Sequence, residues 1–334
     1  VPEGHSVHRI ARQFALHFVG KQVAVSSPQG RFASGAGELD GRVLTEAKAV
    51  GKHMFLEFDN GLWLHVHLGL YGAWDFAGDV TADATMASTN GRIGQTNQRG
   101  TFVDTVVGEH EDSLYSIGAP RRTRLRMSEQ EKLEPEIDSF PPEPIGAVRV
   151  RLLTDTTCAD LRGPTACNVL TAEEVQAQID KLGPDPMLDS GTKAEDRFVA
   201  TVRRKPTPIG LLLMDQSVVS GIGNVYRAEL LFRARLNPHI PGKDLSEETV
   251  RALWKDWTKL LKLGVKTGQM MTMDGLSKSA YDGAMASRAD RHWVYHRTGE
   301  PCRVCGTPIV MEEIGGRKLY YCPVDQAALG TRDT

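Results

Sequence analysis

The sequence predicts an α+β chain of several domains. A mostly β N-terminal part leads through a glycine-proline hinge to a helical, basic part, and a C-terminal hairpin carries metal-ligand residues. Three observations predict this. At 334 residues the chain is long for one hydrophobic core. Its first third alternates short apolar runs with turn residues, among them Asp59-Asn60-Gly61 between runs at 54–58 and 62–66, which signals a β-hairpin. Its last third carries helical spacing and ends on paired knuckles, Cys302-Arg-Val-Cys305 and Cys322-Pro-Val-Asp325.

Each element follows from local pattern. Residues 5–19 predict an amphipathic helix. Val7, Ile10, Phe14 and Phe18 recur at spacings of three and four, His8, Arg9, Arg12 and Gln13 fall on the other side, and Gly20 ends the run. Strand-like runs follow at 23–25, 43–49, 54–58 and 62–66. From 75 to 146 the pattern breaks, first into Thr, Ala, Asn, Gly and Gln, later into charged, proline-bearing text. This predicts an insertion or mobile segment with one short strand at 101–107. A strand resumes at 148–153 and a helix at 172–182, then Gly183-Pro184-Asp185-Pro186 reads as a hinge. Residues 194–236 and 246–264 carry helical spacing.

The charge balance of 40 bases against 42 acids, net −2, argues on its face against a nucleic-acid partner. The acid excess is local. Residues 75–146 hold 7 bases and 13 acids, leaving 33 bases and 29 acids elsewhere, and residues 201–327 hold 19 bases and 13 acids. That sign suits a phosphate-facing surface, and equally suits ordinary solvated helix faces. No apolar run approaches the roughly 18 residues of a membrane helix. Glu3, His5, His8, Arg9 and Arg12 interrupt any secretory hydrophobic block. The expectation is a soluble, cytoplasmic monomer with no membrane partner, nucleoid-associated only when bound to DNA. Five cysteines, three of them in the last 33 residues, suit metal binding in a reducing compartment better than disulfides.

The knuckles are separated by 16 residues, a spacing that reads as two turns closing a tetrahedral zinc site on Cys302, Cys305, Cys322 and Asp325. Asp325 stands where a fourth cysteine is expected. A carboxylate can ligate zinc as a harder donor, and a metal-free hairpin is the alternative. One structural ion is expected, because four protein ligands leave no open position. In Gly221-Ile222-Gly223-Asn224 the glycines permit a tight turn and a close backbone approach. Free N–H groups beside Asn224 would clamp a phosphate, and a helix–turn–helix buried in a core is the alternative. Glu3 by position alone is a first-turn acid favoured by the helix dipole. Lys52 by itself is a surface lysine, and His65 and His67 read as hydrogen-bonded core or phosphate-facing groups rather than a metal pair.

Together, Pro2-Glu3-Gly4, Val50-Gly51-Lys52-His53-Met54, His67-Leu68-Gly69-Leu70-Tyr71-Gly72, the Gly-Ile-Gly-Asn turn and the terminal knuckles resemble the Fpg/Nei family of bifunctional DNA glycosylases. The match runs along most of the chain outside roughly 75–146, and Pro-Glu-Gly looks more like the endonuclease VIII (Nei) branch. The resemblance implies an N-terminal catalytic β-sandwich with flanking helices over 2–183 (75–146 an insertion). It further implies a helix–two-turns–helix DNA-binding domain over 184–298 and a β-hairpin zinc finger over 299–327. Damaged duplex DNA would cross between the lobes. The implied activity is glycosylase and AP lyase on oxidised bases, pyrimidines first. An Fpg-like purine enzyme and a non-catalytic DNA-binding protein on the same scaffold are the rivals.

The resemblance also assigns roles. Pro2 would be the nucleophile, which requires its nitrogen to be an amine; an amide nitrogen behind a retained Val1 is not nucleophilic. The expected resolution is a GUG-type start, translated as Met and removed. Glu3 would move protons, Lys52 would contact the phosphate near the lesion, and Asn224 and Arg317 would bind phosphates, Arg317 also aiding the second elimination. Leu70 and Tyr71 would fill the gap left by the extruded base, with Arg162 facing its orphaned partner. Ser6 departs from the family, since many members carry a second acid there.

Overall fold

Helix α1 (Gly4–His17) buries Val7, Ile10 and Phe14 as its spacing requires. Phe14 stands edge-on to Trp74 (ring centroids 4.8 Å) and to Phe76 (5.4 Å). The other side is not a solvent face. His8, Arg9 and Gln13 are buried as well, and of the four polar residues placed there only Arg12 is exposed. Burial of these three is tolerable because His8, Arg9 and Gln13 each make at least one polar, ring or electrostatic interaction. The computed structural model describes residues 2–78, 80, 116–118, 140–189, 191–287 and 290–327. By contacts the chain forms two units. One comprises Val1–Pro2, Ser6–Ala49 and His53–Gln176, and the other Glu3–His5, Val50–Lys52 and Ala177–Thr334.

The first unit is built from strands β1 (Gln22–Ser26), β2 (Arg42–Val50), β3 (His53–Phe58), β4 (Trp63–His67), β5 (Ala73–Gly78), β6 (Ser116–Gly118), β7 (Val148–Leu153), β8 (Thr157–Arg162) and β9 (Ala166–Leu170). They run in the order β6-β5-β8-β7-β1-β2-β3-β4-β9. Both ends of the series line one core: Trp74, Phe76 and Leu161 cluster with Leu56, Leu64 and Val66. That shared core makes the series a sandwich. The expected hairpin is β3–β4, pairing His53 with His67 through Glu57 with Trp63, with Gly61 at φ +77° in the turn. Helix α2 (Ala33–Leu39) was not legible, since its seven residues ASGAGEL carry two helix-weakening glycines.

The 75–146 excursion is narrower than its composition implies. Asp75–Gly78 complete β5, and Ser116–Gly118 pair with Ala73–Asp75 as an edge strand. These pairings are non-local, so no local pattern announces them. Residues 81–115 and 119–139, including the expected strand at 101–107, lie outside the described residues.

Helix α3 (Ala172–Ile179) leads into the second unit, which holds α4 (Thr192–Arg203), α5 (Ile209–Leu212), α6 (Asn224–Arg233), α7 (Glu247–Thr267), α8 (Lys278–Ala286) and the hairpin β10 (Val310–Ile314) with β11 (Arg317–Tyr321). The helical spacing over 194–236, expected to break at the Gly-Ile-Gly-Asn turn, is carried by three helices, with a further break at Pro206 and Pro208. Helix α7 shows its start and stop plainly. Ser246 Oγ accepts the Thr249 N–H at 3.1 Å, and Gly268 at φ +71° ends the helix. Its buried stripe, Leu253, Trp257, Leu260 and Leu261, packs with Phe198, Ile209, Leu212, Tyr226 and Leu230. The cysteine hairpin belongs to this unit by packing, since Leu319 joins that core and Tyr320 joins Val225 and Phe232. No helix among the described residues is long and apolar enough to cross a membrane.

His65 on β4 is buried, and its Nε2 is hydrogen-bonded to Nδ1 of His53 at 2.9 Å. Burial, with the nearby His67 as a lesser cause, pulls its pKa from 6.5 to about 4. The folded chain therefore keeps His65 neutral where the unfolded chain protonates it. Stability is full above pH 6.5 and falls by roughly 3 kcal/mol as pH drops through that window toward 4. In His65→Phe, a shape suited to the stack on Phe55, denaturant midpoints measured against pH should lose that part of the acid slope. An unchanged slope would contradict the assignment.

Candidate active site and metal centre

The site in the second unit begins at the N-terminus of α6. A helix start leaves backbone N–H groups without intrahelical partners. Here one carboxylate takes three of them. Glu3 Oε2 accepts from Gly223 at 2.8 Å and Tyr226 at 3.3 Å, and Oε1 accepts from Val225 at 2.8 Å. Glu3 is fully buried. It does not serve its own helix α1 as a first-turn acid but caps a helix more than two hundred residues away.

The glycines make this approach possible. A Cβ on Gly223 would lie 2.5 Å from Glu3 Cδ, and one on Gly4 would lie 2.9 Å from Gly221 Cα. The Gly4 N–H donates to Gly221 O at 2.9 Å. The expected close approach at Gly-Ile-Gly-Asn is therefore real, but its occupant is the chain's own N-terminal segment. Of the N–H groups read as a phosphate clamp, those of Gly223, Val225 and Tyr226 are held by Glu3. Lys52 enters on a second segment, because the Gly51 N–H donates to Asp185 Oδ2 at 2.6 Å.

Asn224, half-buried, is fixed at both ends of its amide. Nδ2 donates to Lys318 O at 2.9 Å and Oδ1 accepts from Arg227 at 2.7 Å. Arg227 also donates to Lys318 O at 2.9 Å and is completely buried. These bonds join α6 to β11, where exposed Arg317 begins the strand. Lys52 is half-buried. Burial lowers its pKa; Glu3 opposes this, and Arg317 and Arg227 add to it. Burial likewise brings Arg227 down to about 10, against Glu3 and with Arg317. Three cations thus share one carboxylate, a field suited to an anion. Sequence reasoning missed Arg227 and Asp185. The signals were an arginine one turn after Asn224 and an acid lodged between the hinge prolines.

The remaining residues lie in the first unit. Pro2 is buried and Val1 is outside the described residues. Leu70 and Tyr71 stand exposed, at 41% and 58%, on the turn between β4 and β5. The Gly72 N–H closes that turn on Leu68 O at 3.0 Å. Arg162 ends β8 with its guanidinium bound to both oxygens of Asp75, at 2.5 and 3.0 Å. His53 and His65 are hydrogen-bonded to each other, as a core role requires.

The knuckles bring Cys302, Cys305, Cys322 and Asp325 together with all four donor atoms within 4.8 Å. Tetrahedral zinc with sulfur and oxygen ligands needs donor separations of about 3.5–3.8 Å. Cys305 and Cys322 Sγ are 3.5 Å apart, and Cys302 Sγ is 3.0 Å from Asp325 Oδ2. Burial raises the Cys302 and Cys322 thiols, and the Val304 and Asp325 N–H groups, 3.5 and 3.4 Å from the two sulfurs, partly oppose it. The residue types and their clustering fit one structural zinc, with the Cys302–Asp325 pair about 0.5 Å closer than the bound geometry requires.

Removing the Glu3 carboxylate leaves three buried N–H groups unpaired. Glu3→Ala should lower unfolding stability by about 3 kcal/mol. A variant as stable as the parent in denaturant titration would contradict the cap.

Three family descriptions match the chain: "Formamidopyrimidine-DNA glycosylase N-terminal domain" over 1–107, "Formamidopyrimidine-DNA glycosylase H2TH domain" over 182–274 and "Zinc finger found in FPG and IleRS" over 299–328. The protein called Endonuclease 8 1 of Mycobacterium tuberculosis is 37% identical over 326 residues, covering 98% of this chain and 100% of the relative. Formamidopyrimidine-DNA glycosylase of Thermus thermophilus is 36% identical over 146 residues, 44% of this chain and 54% of its own. A solved complex of Lactococcus lactis Fpg with abasic-site DNA has TM-score 0.66 at 19% identity, covering 98% of this chain and 100% of that one, which speaks for the fold. The chain belongs to the Fpg/Nei family of bifunctional DNA glycosylase/AP lyases, with the family's β-sandwich, H2TH helices and zinc-finger hairpin.

Proposed function

We propose that the protein removes oxidised pyrimidines from duplex DNA through an iminium at Pro2 and then cleaves the strand by β- and δ-elimination. The observation that carries this reading is the Glu3 carboxylate, buried on three N–H groups next in the chain to Pro2 and sharing its field with Lys52, Arg227 and Arg317. Similarity along the full length to a protein called Endonuclease 8 1, against partial matches to formamidopyrimidine-DNA glycosylases, supports the pyrimidine preference.

With Val1 removed, Pro2 presents a secondary amine. An α-amino pKa near roughly 8 leaves a useful neutral fraction at neutral pH. Its lone pair attacks sugar C1′ as the bond from C1′ to the damaged base breaks. Glu3 takes the proton that the attacking amine loses, gives it to the opening sugar ring oxygen and serves as a proton shuttle in the eliminations. Loss of the amine's own proton leaves an iminium that acidifies the adjacent C–H, so the strand breaks on its 3′ side. Lys52 and Asn224 hold phosphates, and Arg317 holds the phosphate that departs in the second elimination. Leu70 and Tyr71 fill the vacated stack, and Arg162 faces the orphaned base. The zinc, when bound, cross-links the knuckles and takes no part in these steps.

The test is borohydride trapping on duplexes carrying 5-hydroxyuracil or 8-oxoguanine. The expected result is a covalent adduct formed faster on 5-hydroxyuracil and reduced at least 100-fold by Pro2→Gly or by an N-terminal extension. Faster trapping on 8-oxoguanine would overturn the substrate assignment. Trapping untouched by the extension would overturn the nucleophile.

A further inference from the structure

The finger's fourth donor is a carboxylate, and the hairpin carrying it is held by much besides metal. Three contacts fix β11 and the second knuckle to helix α6 and the segment after it. Asn224 Nδ2 and Arg227 donate to Lys318 O, both at 2.9 Å, and Gln326 Nε2 donates to Leu236 O at 3.0 Å. Leu319 lies in the helical core. Tyr320 and Ile309 lie with Val225, Phe232 and Val294 in a second cluster. Five residue pairs, Val310 with Tyr321 through Ile314 with Arg317, close the ladder. The first knuckle closes on itself, Cys302 N–H to Thr307 O at 2.8 Å and Gly306 N–H to Cys302 O at 3.0 Å. None of these bonds passes through the four donors' ligand atoms.

The donors are also open to solvent on one side. Cys305 is exposed, and the knuckle tips Val304 and Val324 are 50% and 56% exposed. Beside Val304 opens a cavity of about 320 Å³ that Arg235 also lines. Arg235 stands at φ +48°, a left-handed conformation few side chains adopt. Zinc holds thiolate more strongly than carboxylate oxygen, so Asp325 is the weakest of the four donors. In a finger that folds only around its metal, such a substitution would cost the fold. In this hairpin the fold is otherwise secured.

We infer that the finger is an exchangeable zinc site: Asp325 sets a fast, reversible release of the ion, and the hairpin stays docked on α6 when it leaves. This inference rests on the zinc assignment to Cys302, Cys305, Cys322 and Asp325, not on the proposed chemistry at Pro2. Its consequence is a DNA-binding hairpin whose knuckle rigidity follows the available zinc, while Asn224 and Arg317 keep their places.

The experiment uses the zinc-loaded full-length protein mixed with a chromogenic chelator, following the rate of zinc transfer. Asp325→Cys should slow release at least about tenfold and Asp325→Asn should speed it. The stripped wild type should keep one cooperative thermal transition and regain one zinc per chain on titration. Equal release rates in wild type and both variants, or loss of the cooperative transition on stripping, would overturn the inference. Zinc stoichiometry well below one in the loaded wild type would instead remove the site itself, a failure separable from that of the exchange.

Discussion

The second unit depends on one buried carboxylate. Glu3 meets the Gly223, Val225 and Tyr226 N–H groups, and the positive end of α6 makes this the favoured place for its charge. Because the acceptor sits at the N-terminus, the start of the chain cannot move independently of the H2TH helix. Gly4, Gly221 and Gly223 are required by that approach, since a side chain at Gly4 or Gly223 would collide with the opposing strand of backbone or with the carboxylate itself. A residue that the proposed chemistry uses for proton transfer is thus also the cap that fixes the geometry around it.

From that cap the site extends by contact. Helix α6 carries Asn224 and Arg227, and both reach Lys318 O, so the strand bearing Arg317 is registered against the helix through a single carbonyl. Lys52 arrives beside them because Asp185 anchors the Gly51 N–H. The buried Arg227 has no carboxylate bonded to it among the described residues. Its charge therefore acts on Lys52 and Arg317 and is balanced chiefly by Glu3. A buried arginine held by neutral hydrogen bonds, with Lys52 and Arg317 near it, makes the field at this end of α6 positive.

What was legible in the sequence was what repeats locally. The β3–β4 hairpin announced itself through Asn60-Gly61, α7 through its apolar stripe with Ser246 and Gly268 at its ends, and the metal centre through cysteine spacing. Non-local facts were illegible. Nothing near Ser116–Gly118 says that it pairs with β5, and nothing near Gly223 says that Glu3 will cap it. The polar side of α1 misled because amphipathicity assumes a solvent face, whereas His8, Arg9 and Gln13 are enclosed. The Gly-Ile-Gly-Asn turn was read as a place of close backbone approach, and the N-terminal segment approaches it there.

The central claim is that Glu3 holds the start of α6. Amide hydrogen exchange at Gly223, Val225 and Tyr226 measures it directly. In the parent protein these three amides should exchange slowly together. In Glu3→Ala they should exchange at least 10-fold faster, while Leu230 and Leu231 further along the helix change little. Protection unchanged at all three in the variant would contradict the account.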